Sequence, residues 1–223
     1  MSSPSHPTYE LFIFDFDGTL ADSRHNITNS LNYALRSIGL AEVDPSRIYP
    51  LIGKLTLEAT FSYFYPALTA AEIAHLLQTF RQYQRDHIRL ELAFFPEAIS
   101  TLAALKNRNK RLAILTTKHI EQIEYILAAF DLRRLFDVVC GEGLPPQRKP
   151  DPACVEFILA AVGTSIARPQ AVMVGDSEVD VRTAQNGGID MIAVAHGTDS
   201  LEYLKHQGAT YTVQSLSELL LFA

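Results

Sequence analysis

The chain has 223 residues, 48% hydrophobic and 20% charged, a soluble globular composition long enough for one ample core or a core domain with a smaller insert. A formal charge of −6 and a pI near 5.6, with basic residues scattered apart from NRNKR at 107–111, exclude a general nucleic-acid binder. Cys140 and Cys154 are too few for a disulfide framework or a zinc site, no apolar run approaches a membrane span, and the polar MSSPSHPTYE start reads as a frayed tail of a cytoplasmic protein.

In chain order, an apolar strand is predicted over residues 10–16. SRHNITNSLNYALRSIGL then places Ile27, Leu31, Ala34, Leu35 and Ile38 on one helical face and stops at Gly39. TLEATFSYFY and TAAEIAHLLQTFRQYQRDHIRL continue as helices, the second with Thr69 as N-cap. Residues 22–94 therefore read as several helices and no strand, with Phe61, Tyr63, Phe64 and Tyr65 as core of that region.

Beyond Pro96 helices and strands alternate. The predicted strands are RLAILTT, FDVVC, AVMVGD, DMIAVA and ATYTV, separated by helices, with the loop GEGLPPQRK before DPACVEFILAAVG and a terminal helix SLSELLLF. This is an α/β pattern: a doubly wound parallel sheet between helices, interrupted after its first strand by an all-helical insert. The expected division is a core of residues 1–20 and 95–223 and a helical domain of residues 21–94.

In such sheets ligands sit at the C-terminal strand ends. The first strand ends in Asp15-Phe16-Asp17-Gly18-Thr19, the second in Thr116, Thr117 and Lys118, and AVMVGD in Asp176, with Asp180 four residues on; the loop before DPACVEF carries Lys149. Acids crowded on one rim repel, and a divalent cation relieves this; hard oxygen ligands, few in number, favour magnesium beside a phosphate. A lysine and a threonine hydroxyl suit phosphate oxygens, so the set implies phosphoryl transfer with an aspartate nucleophile.

DFDGTLADS, the apolar strand ending in Thr116, Lys149 in KPDP, and GDSEVD resemble, in order, the four motifs of the haloacid dehalogenase superfamily. The resemblance implies a Rossmann-like core with a helical cap in the insert. It implies Asp15 as nucleophile and Asp17 as acid and then base, its carboxyl protonated by like charge and cap closure. Magnesium would lie on Asp15, Asp17 (through its backbone carbonyl), Asp176 and Asp180, directly or through water in the last case. Thr116 and Lys149 would bind the transferring phosphoryl, while Gly18 and Thr19 begin a turn coupling the cap to the site.

Lys54, in LIGKLTLEATF, lies in a glycine-bearing break where it could face the core and meet a substrate carboxylate or second phosphate; a solvated turn lysine is the other reading. Family members acting on phosphoglycolate or pyrophosphate carry a similar stretch, here Ile52-Gly53 and Thr60-Phe61. Two departures from the family pattern are Thr117, where Asn is common and substrate contacts could change, and Glu97, where Gly is common at a helix start.

Asp17 disfavours a dehalogenase or a phosphonoacetaldehyde hydrolase, which lack that acid. A β-phosphoglucomutase keeps both acids, but Ile27 and Thr56 stand where it has a histidine and an arginine. A non-catalytic phospho-receiver needs neither general acid nor cap. The expectation is a magnesium-dependent phosphatase for a small phosphorylated metabolite, phosphoglycolate first, working as a monomer or weak homodimer without nucleic-acid or membrane partners.

Overall fold

A computed structural model describes residues 6–144, 147–163 and 166–223, so the first five residues of the predicted tail and Pro145–146 of the predicted loop lie outside the described residues. Six strands form one parallel sheet: β1 (Leu11–Phe14), β4 (Arg111–His119), β5 (Val138–Glu142), β6 (Ala171–Gly175), β7 (Asp190–Val194) and β8 (Tyr211–Val213). Their order is β5-β4-β1-β6-β7-β8, so β1 is central and the chain reverses direction across the sheet beside it. Two further strands, β2 (Ala21–Asp22) and β3 (Ala93–Phe94), pair antiparallel where the chain leaves and re-enters this sheet. They correct the strandless reading of residues 22–94; two residues are too few to display a period.

Period-two alternation explains why the first strand is apolar throughout: both faces are covered. Phe12 and Phe14 pack on one face with Leu112, Ile114, Val172 and Val174, while Leu11 and Ile13 pack on the other with Ala113, Leu115, Ala171 and Met173. The bulky first face takes helices α5 (Ala98–Asn107) and α6 (Ile120–Ala129). The smaller-residue face takes α7 (Ala153–Val162), α8 (Glu178–Gly187) and α9 (Leu201–Gln207). The terminal segment, read from the sequence as a helix, is a 3-10 helix over Leu216–Phe222 that packs Leu216, Leu219 and Phe222 against the bulky face.

The insert forms α1 (Arg24–Ser37), α2 (Pro45–Ile48), α3 (Leu57–Phe64) and α4 (Ala70–Glu91), which share a core of their own around Leu31, Leu35, Ile48, Phe61, Leu76 and Phe80. Thr69 caps α4 as expected: its hydroxyl accepts from Glu72 N at 3.3 Å while Glu72 accepts from Thr69 N at 2.8 Å. Of the four aromatics read as core, Phe61 is fully buried, but Tyr63 is 62% exposed and faces solvent. No helix among the described residues is long and apolar enough to cross a membrane.

Candidate active site

Asp15 follows β1 directly, and its N–H still bonds to Val174 O at 2.9 Å, which fixes the residue against the neighbouring strand. Asp176 follows Gly175, the last residue of β6. The two acids thus flank the point where strand order reverses, the usual ligand crevice of open α/β sheets. Asp15, Asp176 and Asp180 are all buried and offer ligand oxygens within 4.8 Å of one another.

Lys149 is the counter-ion of this group. Its ammonium lies 3.0 Å from Asp15 Oδ1 and 2.7 Å from Asp180 Oδ1, with all three side chains at most 2% exposed. Burial pulls the Lys149 ammonium down, but Asp15 and Asp180 hold it above its ordinary value. Burial raises the Asp15 carboxyl well above the usual carboxylate range; Lys149 opposes this, and Asp180, Asp176 and Asp17 add to it. Asp176 is pushed up to about 6, by burial first and then by Asp180.

The second Asp180 oxygen accepts from Ser177 Oγ at 2.7 Å, Ser177 N at 3.1 Å and Asp176 N at 3.2 Å. Asp180 therefore anchors Lys149 and closes the start of α8, both of its oxygens already engaged. Arg182 pairs with Glu178 instead. Around Asp176, Thr19 Oγ1 donates at 2.7 Å and Thr198 N at 2.8 Å. The predicted coupling turn is thus tied to an acid: Thr19 is fully buried, and its hydroxyl orients Asp176 rather than facing a substrate.

Glycine is required at two places here. A Cβ on Gly18, whose φ is +84°, would stand 2.3 Å from Asp176 Oδ2, and one on Gly197 would stand 2.0 Å from Asp176 Cβ. The backbone therefore closes tightly around this carboxylate.

A divalent cation fits this donor set. Three carboxylates face one ammonium, which leaves two negative charges when all are ionised. Asp15 Oδ1 is buried and meets the Lys149 ammonium at 3.0 Å, and Asp176 is raised by burial and then by the like charge of Asp180.

Asp17 sits beside this well, 6% exposed, with Oδ2 3.1 Å from Lys118 Nζ and Oδ1 buried without a partner. Its expected surroundings of like charge are thus offset by a cation. Lys118 reaches it through a register irregularity of β4 between Leu115 and His119, which re-aims the strand end. Thr116 Oγ1 accepts from Lys118 N at 3.2 Å, leaving its O–H free to donate.

Two cavities lie between insert and sheet. One is lined by Asp17, Thr117, Lys118 and His119 from the sheet and by Ile27, Leu31, Ile48, Phe80 and Arg81 from the insert. The other is lined by Gly18, Lys54, Gly197 and Asp199 among others. Lys54 faces the core but does not reach the first cavity's lining: its ammonium donates to Asp199 Oδ1 at 2.7 Å, and Asp199 Oδ2 accepts from Glu178 N at 3.0 Å. Lys54 thus ties the insert to the rim.

Four side chains at these sites carry no motif signal: Lys118, Asp199, Arg81 and Gln122. Lys118 is placed at the strand end by the sequence, but nothing there pairs it with Asp17. Arg81 belongs to no motif, but with Gln84 and Arg85 it forms a polar stretch at helical spacing on α4.

The family profile described as haloacid dehalogenase-like hydrolase matches residues 12–194. A phosphoglycolate phosphatase of Mesorhizobium japonicum is 30% identical over 190 residues, covering 84% of this chain and 83% of its own. One from Rhodospirillum rubrum is 33% identical over 194 residues, covering 83% and 79%. Among solved structures, a haloacid dehalogenase-like family hydrolase of Streptococcus pneumoniae superposes with a TM-score of 0.79 at 26% identity, over 95% of this chain and 97% of its own. With the strand-end acids and Lys149 gathered at the sheet's reversal point, these similarities establish that the chain belongs to the haloacid dehalogenase-like hydrolases.

Proposed function

We propose that this hydrolase is a magnesium-dependent phosphatase acting on a small anionic phosphorylated metabolite, phosphoglycolate first, through an aspartyl phosphate formed on Asp15. The observation that carries the reading is the Asp15 carboxylate: buried at the switch point, its Oδ1 3.0 Å from the Lys149 ammonium, within one cluster with Asp176 and Asp180. An acid kept this way has a lone pair available for phosphorus. The phosphoglycolate phosphatases similar over most of their length support the substrate class.

Asp15, Asp176 and the Asp17 backbone carbonyl would hold the cation, with Asp180 supporting the set through Lys149 and the Asp176 N–H. Magnesium, when bound, offsets the charge of the phosphate that would otherwise repel the attacking carboxylate. Lys149 has three ammonium protons and two acid partners, so one remains for a phosphoryl oxygen, with the Thr116 hydroxyl as a second donor. Asp17, its Oδ1 free, protonates the leaving oxygen and then takes a proton from the water that cleaves the intermediate.

Asp15→Asn keeps the shape of the side chain and removes the nucleophile. Phosphate release should fall by at least roughly 1,000-fold, with the circular dichroism spectrum unchanged. Turnover within about tenfold of the parent would reject Asp15 as nucleophile.

A further inference from the structure

Arg81 leaves α4 beside Phe80 and lines the cavity that also holds Asp17. Its Nε is buried and has no hydrogen-bonded partner, and the side chain makes no ion pair among the described residues. From α6 on the opposite side, Gln122 lines the same cavity, is 4% exposed, and leaves its Nε2 buried and unpaired. A buried donor without an acceptor loses its water without compensation; Gln84 Nε2 and Arg85 Nε are also unpaired, but neither residue lines this cavity.

Three other polar side chains of this wall have contacts of their own, although Asp17 Oδ1 stays free. Asp17 is tied to Lys118, Glu142 lies 3.9 Å from Arg148, and His119 Nδ1 accepts from Glu121 N at 3.4 Å. Most of the remaining lining is aliphatic or aromatic, including Ile27, Leu31, Ile48 and Phe80. Neither Arg81 Nε nor Gln122 Nε2 has an acceptor among the described residues, and a planar anion suits a guanidinium better than any neutral group. With so few donors and apolar walls, a singly charged carboxylate is a better match than a second phosphate.

We propose that Arg81, assisted by Gln122, is the specificity-determining receptor for a carboxylate on the leaving group of the substrate. This rests on the phosphatase reading above and assigns to Arg81 the role that Lys54, engaged with Asp199, does not fill. Binding the remote anion on the insert also couples the substrate to the position of the insert over the sheet.

The test compares phosphoglycolate with 2-hydroxyethyl phosphate, its neutral analogue of similar size, in the magnesium-loaded full-length protein. Arg81→Met should lower the ratio of the two kcat/KM values by roughly 10- to 100-fold, the value of a charge-assisted hydrogen bond, with Arg81→Lys recovering part of it. Gln122→Leu should move the ratio the same way by less. An unchanged ratio, whether both rates fall together or neither does, overturns the proposal; thermal unfolding of each variant separates a folding defect from lost recognition. If the parent protein releases phosphate from neither compound, the phosphatase reading itself fails, and that result is visible before any variant is made.

Discussion

The rim of the parallel sheet and the cleft under the helical insert are built on opposite terms. At the rim, Lys149 serves two acids, Asp180 has donors on both oxygens, and Thr19 and Thr198 hold Asp176. In the cleft, Arg81 and Gln122 present buried donors to nothing. The rim is wired for one chemistry and tolerates little change, whereas the cleft is completed by whatever the protein binds. Two cations of the insert, Lys54 and Arg81, show the same contrast: Lys54 has its partner in Asp199, while Arg81 Nε has none among the described residues.

The largest break of this contrast is at the rim. Lys149→Met removes the counter-ion from Asp15 and Asp180 and leaves buried acids facing one another. Metal-free protein should lose about 3–5 kcal/mol in urea unfolding, the usual consequence of removing one member of a buried pair. A loss below about 1 kcal/mol would mean that the rim is not held by this ion pair.

The next effect is the response of the rim to pH and cation. Burial and like charge raise Asp15 and Asp176 above their ordinary values, Asp176 to about 6. A carboxyl raised on folding stabilises the fold while protonated, and that stability is lost as pH rises from the ordinary carboxylate range through about 6. Other groups shape the absolute curve, so the informative quantity is the shift caused by magnesium. That shift in Tm should be larger at pH 7.5 than at pH 5, because the ion binds the ionised acids. Equal shifts at both values would dissociate magnesium from this cluster.

A smaller effect separates the two cations. Lys54→Met breaks a partly exposed pair across the seam and should reduce stability by no more than about 1 kcal/mol. Its kcat/KM should fall by the same factor for phosphoglycolate and 2-hydroxyethyl phosphate, in contrast to Arg81→Met. A selective loss on phosphoglycolate would return the specificity role to Lys54.

The rim was legible in the sequence because its residues violate a local rule: acids at the ends of apolar strands need an explanation wherever the chain puts them. Asp15, Asp17 and Asp176 show this by themselves, whereas Lys149 becomes readable only through its order among them. The cleft was not legible, because its meaning lies in pairings that the chain does not announce. Lys54 and Asp199 are 145 residues apart, and only the packed structure shows that they meet. Arg81 and Gln122 sit on ordinary amphipathic helices, where an inward polar residue resembles a solvated one. The two-residue strands β2 and β3 are set by the closing of the insert on the core, and no period marks them. Glu97 shows a different limit: its φ of 64° places a side chain in the left-handed region just before α5, where glycine is free of strain.

The central claim is that Asp15 is the group that bonds to phosphorus. Crystals grown with magnesium and beryllium trifluoride, a mimic of a phosphorylated aspartate, test it directly. The account predicts beryllium bonded to an Asp15 carboxylate oxygen, with magnesium held by Asp15 and Asp176. Beryllium on Asp17 or Asp176, or bound ligand with no contact to Asp15, would contradict it.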